Sequence, residues 1–403
     1  MRTVAVIGAG ASGMTAALTA ARAGCRVILF ERQARVGRKL MATGNGRCNL
    51  TNLGAAPKNY HGGRQDFAAP ALAAFPPSAT LQFFRELGLL TVTEEGGRVY
   101  PLSNSANSVA DVLRYALDAA GVELMAPAPA RGIRRSGKGF VITTDEKELT
   151  ADAVIIACGG MAGEKLGGVK DGYDLLMSLG HSRTALRPAL VQITTDNTYP
   201  RALKGIKADT RLTLLSDGGT PATAEGELLF TESGVSGPAA FDLSRAVAAA
   251  GDAKLTISAD FLREYTEGEV FLLLCARRAA AGALPTSEIL TGALHNRLGR
   301  MVVKYAGLPA DTPLAELGDA SLHALAAACK SFLLPVRGTE GFANAQVTAG
   351  GIKTTEFDAE TLQSRLVPSL FACGEVLDVD GDCGGYNLQW AWASGRLAGK
   401  LGL

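Results

Sequence analysis

The sequence predicts an α/β fold interrupted by a β-rich insertion and a small helical one, on three observations. TVAVIGAGASGMTAALTAARAGCRVILFERQ, residues 3–33, runs from a short apolar stretch through a glycine turn and an alanine-rich stretch to a second apolar run. Apolar runs of the same kind return at 153–157 and at 370–372. Between those two, from about residue 186, the texture changes to polar-flanked strand pieces and then to a helical block. Strands buried on both faces read as unbroken apolar runs, so the returning runs belong to one parallel sheet that the chain leaves and rejoins. The expected division is 1–185 and 343–403 for the α/β domain, 186–262 for the β-rich insertion and 263–342 for the helical one.

The first unit reads strand 3–7, helix 12–23 stopped by Gly24, then strand 26–30 ending at Glu31. In such a βαβ unit Gly8 permits the tight turn, Gly10 lets backbone approach a pyrophosphate, and Gly13 lets the helix pack on the strand. Free N–H groups and the positive dipole end at the helix start favour phosphate. Gly8, Ala9, Gly10, Ala11, Ser12 and Gly13 are therefore candidate contacts to a dinucleotide. Glu31, 18 residues after Gly13, is placed to accept the ribose hydroxyls and would repel a 2′-phosphate. The motif does not separate FAD from NAD. Just beyond, RQARVGRKLMATGNGRCNLTN holds Arg32, Arg35, Arg38, Lys39 and Arg47 among Gly37, Gly44 and Gly46. A solvated basic loop is the ordinary fate of such charge. The adjoining βαβ unit favours a phosphate-binding role, with Arg38 and Lys39 pairing with the pyrophosphate.

Farther on, residues 75–87 read as a helix entered through Pro76-Pro77, and about 108–120 as an amphipathic helix. A β-meander then leads into strand 153–157, which ends in Cys158-Gly159-Gly160. The strand pieces of the insertion are LVQITT (190–195), TRLTLLSDGG (210–219), GELLFTESGVSG (226–237) and AKLTISADFL (253–262). A helical block, 268–334, follows, broken by Gly282, Pro285, Pro309 and Pro313. FTESGVSGP, 230–238, reads equally as a lid near a ligand or as a hairpin. Strand 370–372 then runs into Cys373-Gly374-Glu375.

Forty Lys and Arg against 39 Asp and Glu give a net charge of +1, so no general basic field for nucleic acid is expected. The chain shows no long uncharged apolar run and no signal-peptide pattern, so no membrane contact and a cytoplasmic location are expected. Seven cysteines at irregular spacing without a CxxC point to reduced thiols. The four histidines, His61, His181, His295 and His323, have no metal-ligand spacing, so no metal is expected. His181, after SLG, reads as a helix-end residue and not a general base. Oligomeric state is not legible.

The residues also carry a resemblance. GAGASG (8–13), GRKLMATGNGRCNLTN (37–52), GRVYPLSN (97–104), ACGG (157–160), LLFTESGVSGP (228–238), VTAGGI (347–352) and FACGEVLDVDGDCGGYNLQWAWASG (371–395) together resemble the BaiN/RdsA (YhiN-type) flavoproteins, which include aminoacetone oxidase. The resemblance spans nearly the whole chain. It implies FAD held by a Rossmann-type domain of the two-dinucleotide-fold flavoprotein class, built from both chain ends, with a β-barrel-like substrate domain and a small helical domain between them. It implies Glu31 on the adenosine ribose, with Arg32 beside it, and Arg38 and Lys39 on pyrophosphate or ribose. Asn45, Gly46, Arg47, Cys48 and Asn49 correspond to the flavin-proximal loop, with Thr43 and Gly44 before it as further cofactor contacts. Ala130 corresponds to the backbone contact to adenine. Ala157, Cys158 and Gly159 correspond to the wall after the returning strand, and Gly374 and Glu375 to the ribityl–phosphate contact. Two segments depart from the family pattern: Glu232 replaces a frequent His, and Gly168-Val169-Lys170 replaces a Ser-Thr-Gly-like piece.

Within that frame Gly384 and Gly385 let backbone lie against a flavin ring, and a helix from Tyr386, Asn387 and Leu388 onward aims its N-terminus there. Trp390 and Trp392 fall ~200° apart on it and cannot both stack on one ring. One is expected to pack on the sheet and the other toward an inserted domain. The resemblance implies NAD(P)H-dependent reduction of a small unsaturated or carbonyl substrate, NADH or NADPH visiting transiently because the chain has one dinucleotide fingerprint. An oxygen-using oxidase of a small amine and a non-catalytic flavin-binding redox sensor are the alternatives. The sequence singles out no acid–base residue; Tyr386 and Glu232 are the candidates.

Overall fold

A computed structural model describes residues 1–64, 66–216, 222–251 and 253–402. Residues 217–219, the end of the expected strand piece TRLTLLSDGG, lie outside the described residues. The chain divides into two compact units, Met1–Pro188 with Phe342–Leu403, and Ala189–Gly341.

The first unit is built on a five-stranded sheet in the order Leu370–Ala372, Ala153–Ile156, Thr3–Ile7, Arg26–Phe30, Glu123–Met125. All four pairings are parallel, with Val6 opposite both Ile155 and Leu29. Val4, Val6, Leu29, Ile155 and Ile156 are buried, as strands covered on both faces require. The strand order reverses direction at Thr3–Ile7, which creates a crevice at its carboxyl end between it and Ala153–Ile156. Helix Ala11–Arg22 packs closely on helix Tyr386–Gly399. Small residues permit this approach: a Cβ at Gly395 would overlap Ser12 O, and one at Gly399 would sit 2.6 Å from Ala16 O. The meander is an antiparallel sheet of Gly132–Ser136, Gly139–Thr143 and Glu148–Ala151.

The second unit holds a closed barrel of antiparallel strands in the order Ile193–Thr195, Gly234–Ser236, Ala222–Phe230, Lys207–Ser216, Leu255–Asp260, Phe332–Thr339. Helices Pro238–Ala249, Glu267–Ala280, Asn296–Tyr305 and Asp319–Lys330 share one apolar core with it. One open reading is decided and two features differ from the sequence reading. Segment 230–238 is a hairpin: Thr231 N–H donates to Gly234 O at 2.9 Å, and Gly234–Ser236 pairs with a strand on each side. The helical block ends at Lys330, because Phe332 and Leu334 are buried while Leu333 and Pro335 are exposed, a period of two that suits a strand. Helix Pro238–Ala249 was not expected; Ala239, Ala240, Leu243 and Val247 give it a buried stripe at helical spacing.

Among the described residues, no helix is long and apolar enough to cross a membrane. None of their His, Cys, Asp and Glu side chains forms a group that could hold a metal ion.

Candidate functional site

The site begins where Thr3–Ile7 ends. Gly8 N–H donates to Phe30 O at 2.8 Å, and a Cβ at Gly8 would sit 2.5 Å from Ala157 O, so the turn is wedged into the crevice. A Cβ at Gly13 would overlap Gly8 O. The fold itself therefore needs Gly8 and Gly13. Gly10 differs: its backbone is ordinary (φ −83°, ψ −169°), and a Cβ there would meet nothing within 4 Å. Open space at Gly10, against the N-terminus of a 12-residue helix, is what an approaching pyrophosphate requires.

Glu31 closes the turn. Its Oε2 accepts Ala9 N–H at 3.0 Å and its Oε1 accepts Gln33 N–H at 2.8 Å. Burial pushes the carboxyl above its ordinary value, against the opposing pull of those two bonds and of Arg32. Each oxygen retains capacity for a hydroxyl donor. Ala128 N–H donates to Glu31 O at 2.7 Å, which brings the segment carrying Ala130 beside the acid. On the opposite side Ala157 N–H donates to Ile7 O at 2.8 Å, and the space at Gly159 is open. Burial raises the Cys158 and Cys48 thiols to about 12, so neither is an available thiolate.

The basic loop forms a second wall. Lys39 Nζ pairs with Glu375 Oε2 at 2.7 Å, and Glu375 Oε1 accepts Thr348 N–H at 2.8 Å. Two expected cofactor contacts are thus partners of each other. Arg38 donates to Gln33 Oε1 at 3.3 Å, and Arg32 faces Asp171 at 3.6 Å. Thr43 Oγ1 donates to Leu40 O at 2.7 Å. Gly44, Asn45 and Gly46 are all left-handed, which turns the chain back so that Cys48 N–H reaches Thr43 O at 2.9 Å. The Arg47 guanidinium is held by Glu94 at 2.5 Å and by Asn104, and lies 4.0 Å over the Tyr100 ring.

The third wall is the start of helix Tyr386–Gly399. Gly385 has φ 101°, and a Cβ there would sit 2.7 Å from Thr51 O and 2.8 Å from Asn49 Oδ1. Asn49 Oδ1 is buried with no hydrogen-bond partner, an acceptor at the mouth of this helix that a ligand N–H would satisfy. Asn387 is a clamp: its Oδ1 accepts Gly381 N–H and its Nδ2 donates to Gly381 O, both at 2.8 Å. Tyr386 O accepts the Tyr60 hydroxyl at 3.0 Å, and Leu388 packs on the core. A Cβ at Gly374 would overlap Ser12 Oγ, and Gly374 O accepts Trp390 Nε1 at 3.1 Å. Trp392 Nε1 donates to Leu50 O at 2.8 Å, and its ring meets Phe84 edge-on at 5.0 Å. Both tryptophans lie in the core of the first unit, so Trp392 is not directed toward an insertion; Leu50 and Phe84 of its own unit cover it.

Glu232 lies in the second unit, exposed and paired with Lys204 at 2.8 Å; that bond holds its carboxyl below the usual range. Sequence reasoning missed a second titratable pair, His61 Nε2 with Asp382 Oδ1 at 2.6 Å. The partners are 321 residues apart, so no local spacing announced it. Nor did any pattern announce Gln389, buried beneath the helix start, whose Oε1 accepts the Thr51 and Thr80 hydroxyls at 2.6 and 3.0 Å.

The open face at Gly10, the acid at Glu31 and the orphaned Asn49 oxygen fit a flavin dinucleotide. The chain matches the family described as HI0933-like protein Rossmann domain over residues 2–401. It is 38% identical over 404 residues to the 3-dehydro-bile acid delta(4,6)-reductase of Clostridium scindens, covering 99% of this chain and 98% of that one. It is 29% identical over 392 residues to the ribosomal RNA dihydrouridine synthase of Escherichia coli, covering 96% and 95%. Among solved structures, a 3-ketosteroid delta1-dehydrogenase from Sterolibacterium denitrificans aligns over 99% of both chains with TM-score 0.54 and 15% identity, which shows a shared fold. A relative named for ribosomal RNA leaves the expectation of no nucleic acid partner without support.

Proposed function

The chain belongs to the HI0933-like Rossmann family, and as an FAD-dependent oxidoreductase of that family we propose that it reduces a carbon–carbon double bond conjugated to a carbonyl in a small organic molecule. NADH or NADPH, binding transiently, is the proposed electron donor. The observation that carries the cofactor half is Gly10, the motif glycine that the fold does not need and a pyrophosphate does. The substrate half rests on chemistry common to the two relatives. A 3-dehydro bile acid unsaturated at positions 4 and 6 and the uracil ring of uridine differ in size and charge. Both present a C=C conjugated to C=O, and both names denote its reduction.

When bound, the flavin supplies the two-electron redox chemistry. The chain's residues supply position and charge. Glu31 holds the adenosine ribose, and Ala9 N–H keeps its carboxylate aimed. The Lys39–Glu375 pair fixes the loop that flanks the phosphates. Gly385, with no room for a Cβ against Thr51 and Asn49, lets the chain enter the first turn of helix Tyr386–Gly399, whose N-terminal dipole would stabilise negative charge gathered there on reduction. Asn49 Oδ1, an acceptor with no partner in the protein, would accept a ring N–H.

The test is oxidation of NADH or NADPH by the purified protein under nitrogen, offered a conjugated enone, uridine, ribosomal RNA or an unconjugated alkene. Turnover with the small enone and none with the alkene is expected. Turnover confined to RNA would overturn the small-molecule reading. Oxygen consumption on small amines, without enone turnover, would replace the reductase by an oxidase.

A further inference from the structure

Saturating a conjugated C=C adds two electrons and two hydrogens. One hydrogen arrives at the β-carbon with the electron pair from reduced flavin. The other is a proton, delivered toward the carbonyl oxygen or the α-carbon as the enolate forms, and a positioned protein acid supplies it efficiently. Glu232 is ill suited, an exposed and ionised partner of Lys204. Three of the four histidines have structural work. His181 is buried between Glu356 and Ser364, His295 caps a helix through Nδ1, and His323 stacks on Phe271 at 3.7 Å.

We propose that His61, oriented by Asp382, is the proton donor of this reaction, an assignment that rests on the reductase reading above. Strand Tyr60–His61 pairs antiparallel with Asp380–Gly381, so His61 lies opposite Asp380 and Tyr60 opposite Gly381. Asp382 is held on both carboxylate oxygens: Oδ1 meets His61 Nε2 at 2.6 Å and Oδ2 accepts Asn59 Nδ2 at 3.0 Å. Its own N–H donates to Asn59 O at 3.1 Å. The segment after His61 is locked as well. Gly63 N–H donates to Asp378 Oδ2 at 3.0 Å, and a Cβ at Gly62 would overlap Asp378 O. Asp382 precedes the helix-capping Gly385 by three residues, and the Tyr60 hydroxyl donates to Tyr386 O at 3.0 Å. The pair therefore stands beside the helix start that borders the flavin site. Side-chain exposures of 37% for His61 and 31% for Asp382 leave the imidazole reachable by a ligand. The carboxylate takes Nε2–H and so fixes the ring's orientation, leaving Nδ1 to face the substrate; the protonated ring gives its Nδ1 proton and regains one from solvent.

A phenolate mimics the enolate oxygen and binds without turnover, so the probe is a para-substituted phenol titrated into the oxidised, FAD-loaded protein and followed by the flavin absorbance. Wild type is expected to bind. His61→Gln and Asp382→Asn, at unchanged FAD content, are expected to bind at least about tenfold more weakly, as loss of a charge-assisted hydrogen bond implies. In the same variants, reoxidation by enone is expected to slow by about 10²-fold or more while reduction of the flavin by its donor is unchanged. Should the variants lose FAD, phenol is expected to protect His61 of the wild type from carbethoxylation, mapped by mass spectrometry. Equal phenol affinity in His61→Gln, no phenol binding by wild type, or absent protection would each overturn the assignment. Phenol binding through His61 in a protein that reduces no enone would overturn the reductase reading instead.

Discussion

Gly10 and Gly13 belong to one sequence motif yet fail in different ways when changed. A methyl at Gly13 would overlap Gly8 O, so Gly13→Ala is expected to destabilise the protein itself by several kcal/mol, as forced backbone displacement does. A methyl at Gly10 would meet open space, so Gly10→Ala is expected to leave apo stability within about 0.5 kcal/mol and to weaken FAD binding at least about tenfold. Chemical denaturation of apo protein and FAD titration separate the two. Glu31→Ala should lower FAD occupancy after gel filtration, because it removes a carboxylate held by two backbone N–H groups; unchanged occupancy would contradict the ribose assignment. At this scale the legible part was local. The glycine turn and the acid after the second strand stand within one βαβ unit, where spacing encodes geometry. Lys39–Glu375 and His61–Asp382 join residues 336 and 321 positions apart, and nothing in either neighbourhood names the partner.

Helix Tyr386–Gly399 shows how one element serves packing and site together. Buried on every side from Gln389 to Gly395, it carries Trp390 and Trp392, each anchored by its indole N–H to a backbone carbonyl, and Gly395 lets it rest on helix Ala11–Arg22. Gly395→Leu is expected to cost at least about 1–3 kcal/mol in denaturant unfolding through overpacking, and to loosen FAD by moving both helix starts. The turn after helix Asp171–Ser178 is held by a different device. His181 Nδ1 meets Glu356 Oε2 at 2.8 Å, its Nε2 meets Ser364 Oγ at 3.0 Å, and its ring stacks on Phe357. Burial pushes its imidazole below the ordinary 6.5, with the Glu356 bond opposing. The folded state then binds this proton less readily than the unfolded chain. The stabilisation is complete above about 6.5 and is lost as pH falls through the window beneath it. Thermal unfolding between pH 7 and 5.5 should therefore steepen in wild type relative to His181→Gln. Elements were legible where periodicity was long, as in the first helix. Strand Phe332–Thr339 was not, because LLP after a helical run hides a period of two in few residues.

At the scale of the molecule, the sequence showed a chain that leaves one sheet and returns, because its buried strands share one composition at 3–7, 153–156 and 370–372. Barrel closure was not legible: the strand pieces were visible, but pairings such as Ile193 opposite Thr339 span most of the unit. Residues 189–341 hold the closed barrel and a separate apolar core. Expressed alone, that segment is expected to fold cooperatively by circular dichroism, as a unit of this size with its own core can. The first unit carries the features that fit FAD, and in the proposed function they serve reduction of a conjugated double bond. The most direct measurement is the absorbance near ~450 nm of the FAD-loaded protein, reduced by dithionite under nitrogen and then mixed with a conjugated enone. The band should return within the turnover time and the enone should be recovered saturated. A flavin that stays bleached until oxygen enters, with the enone intact, would contradict the claim.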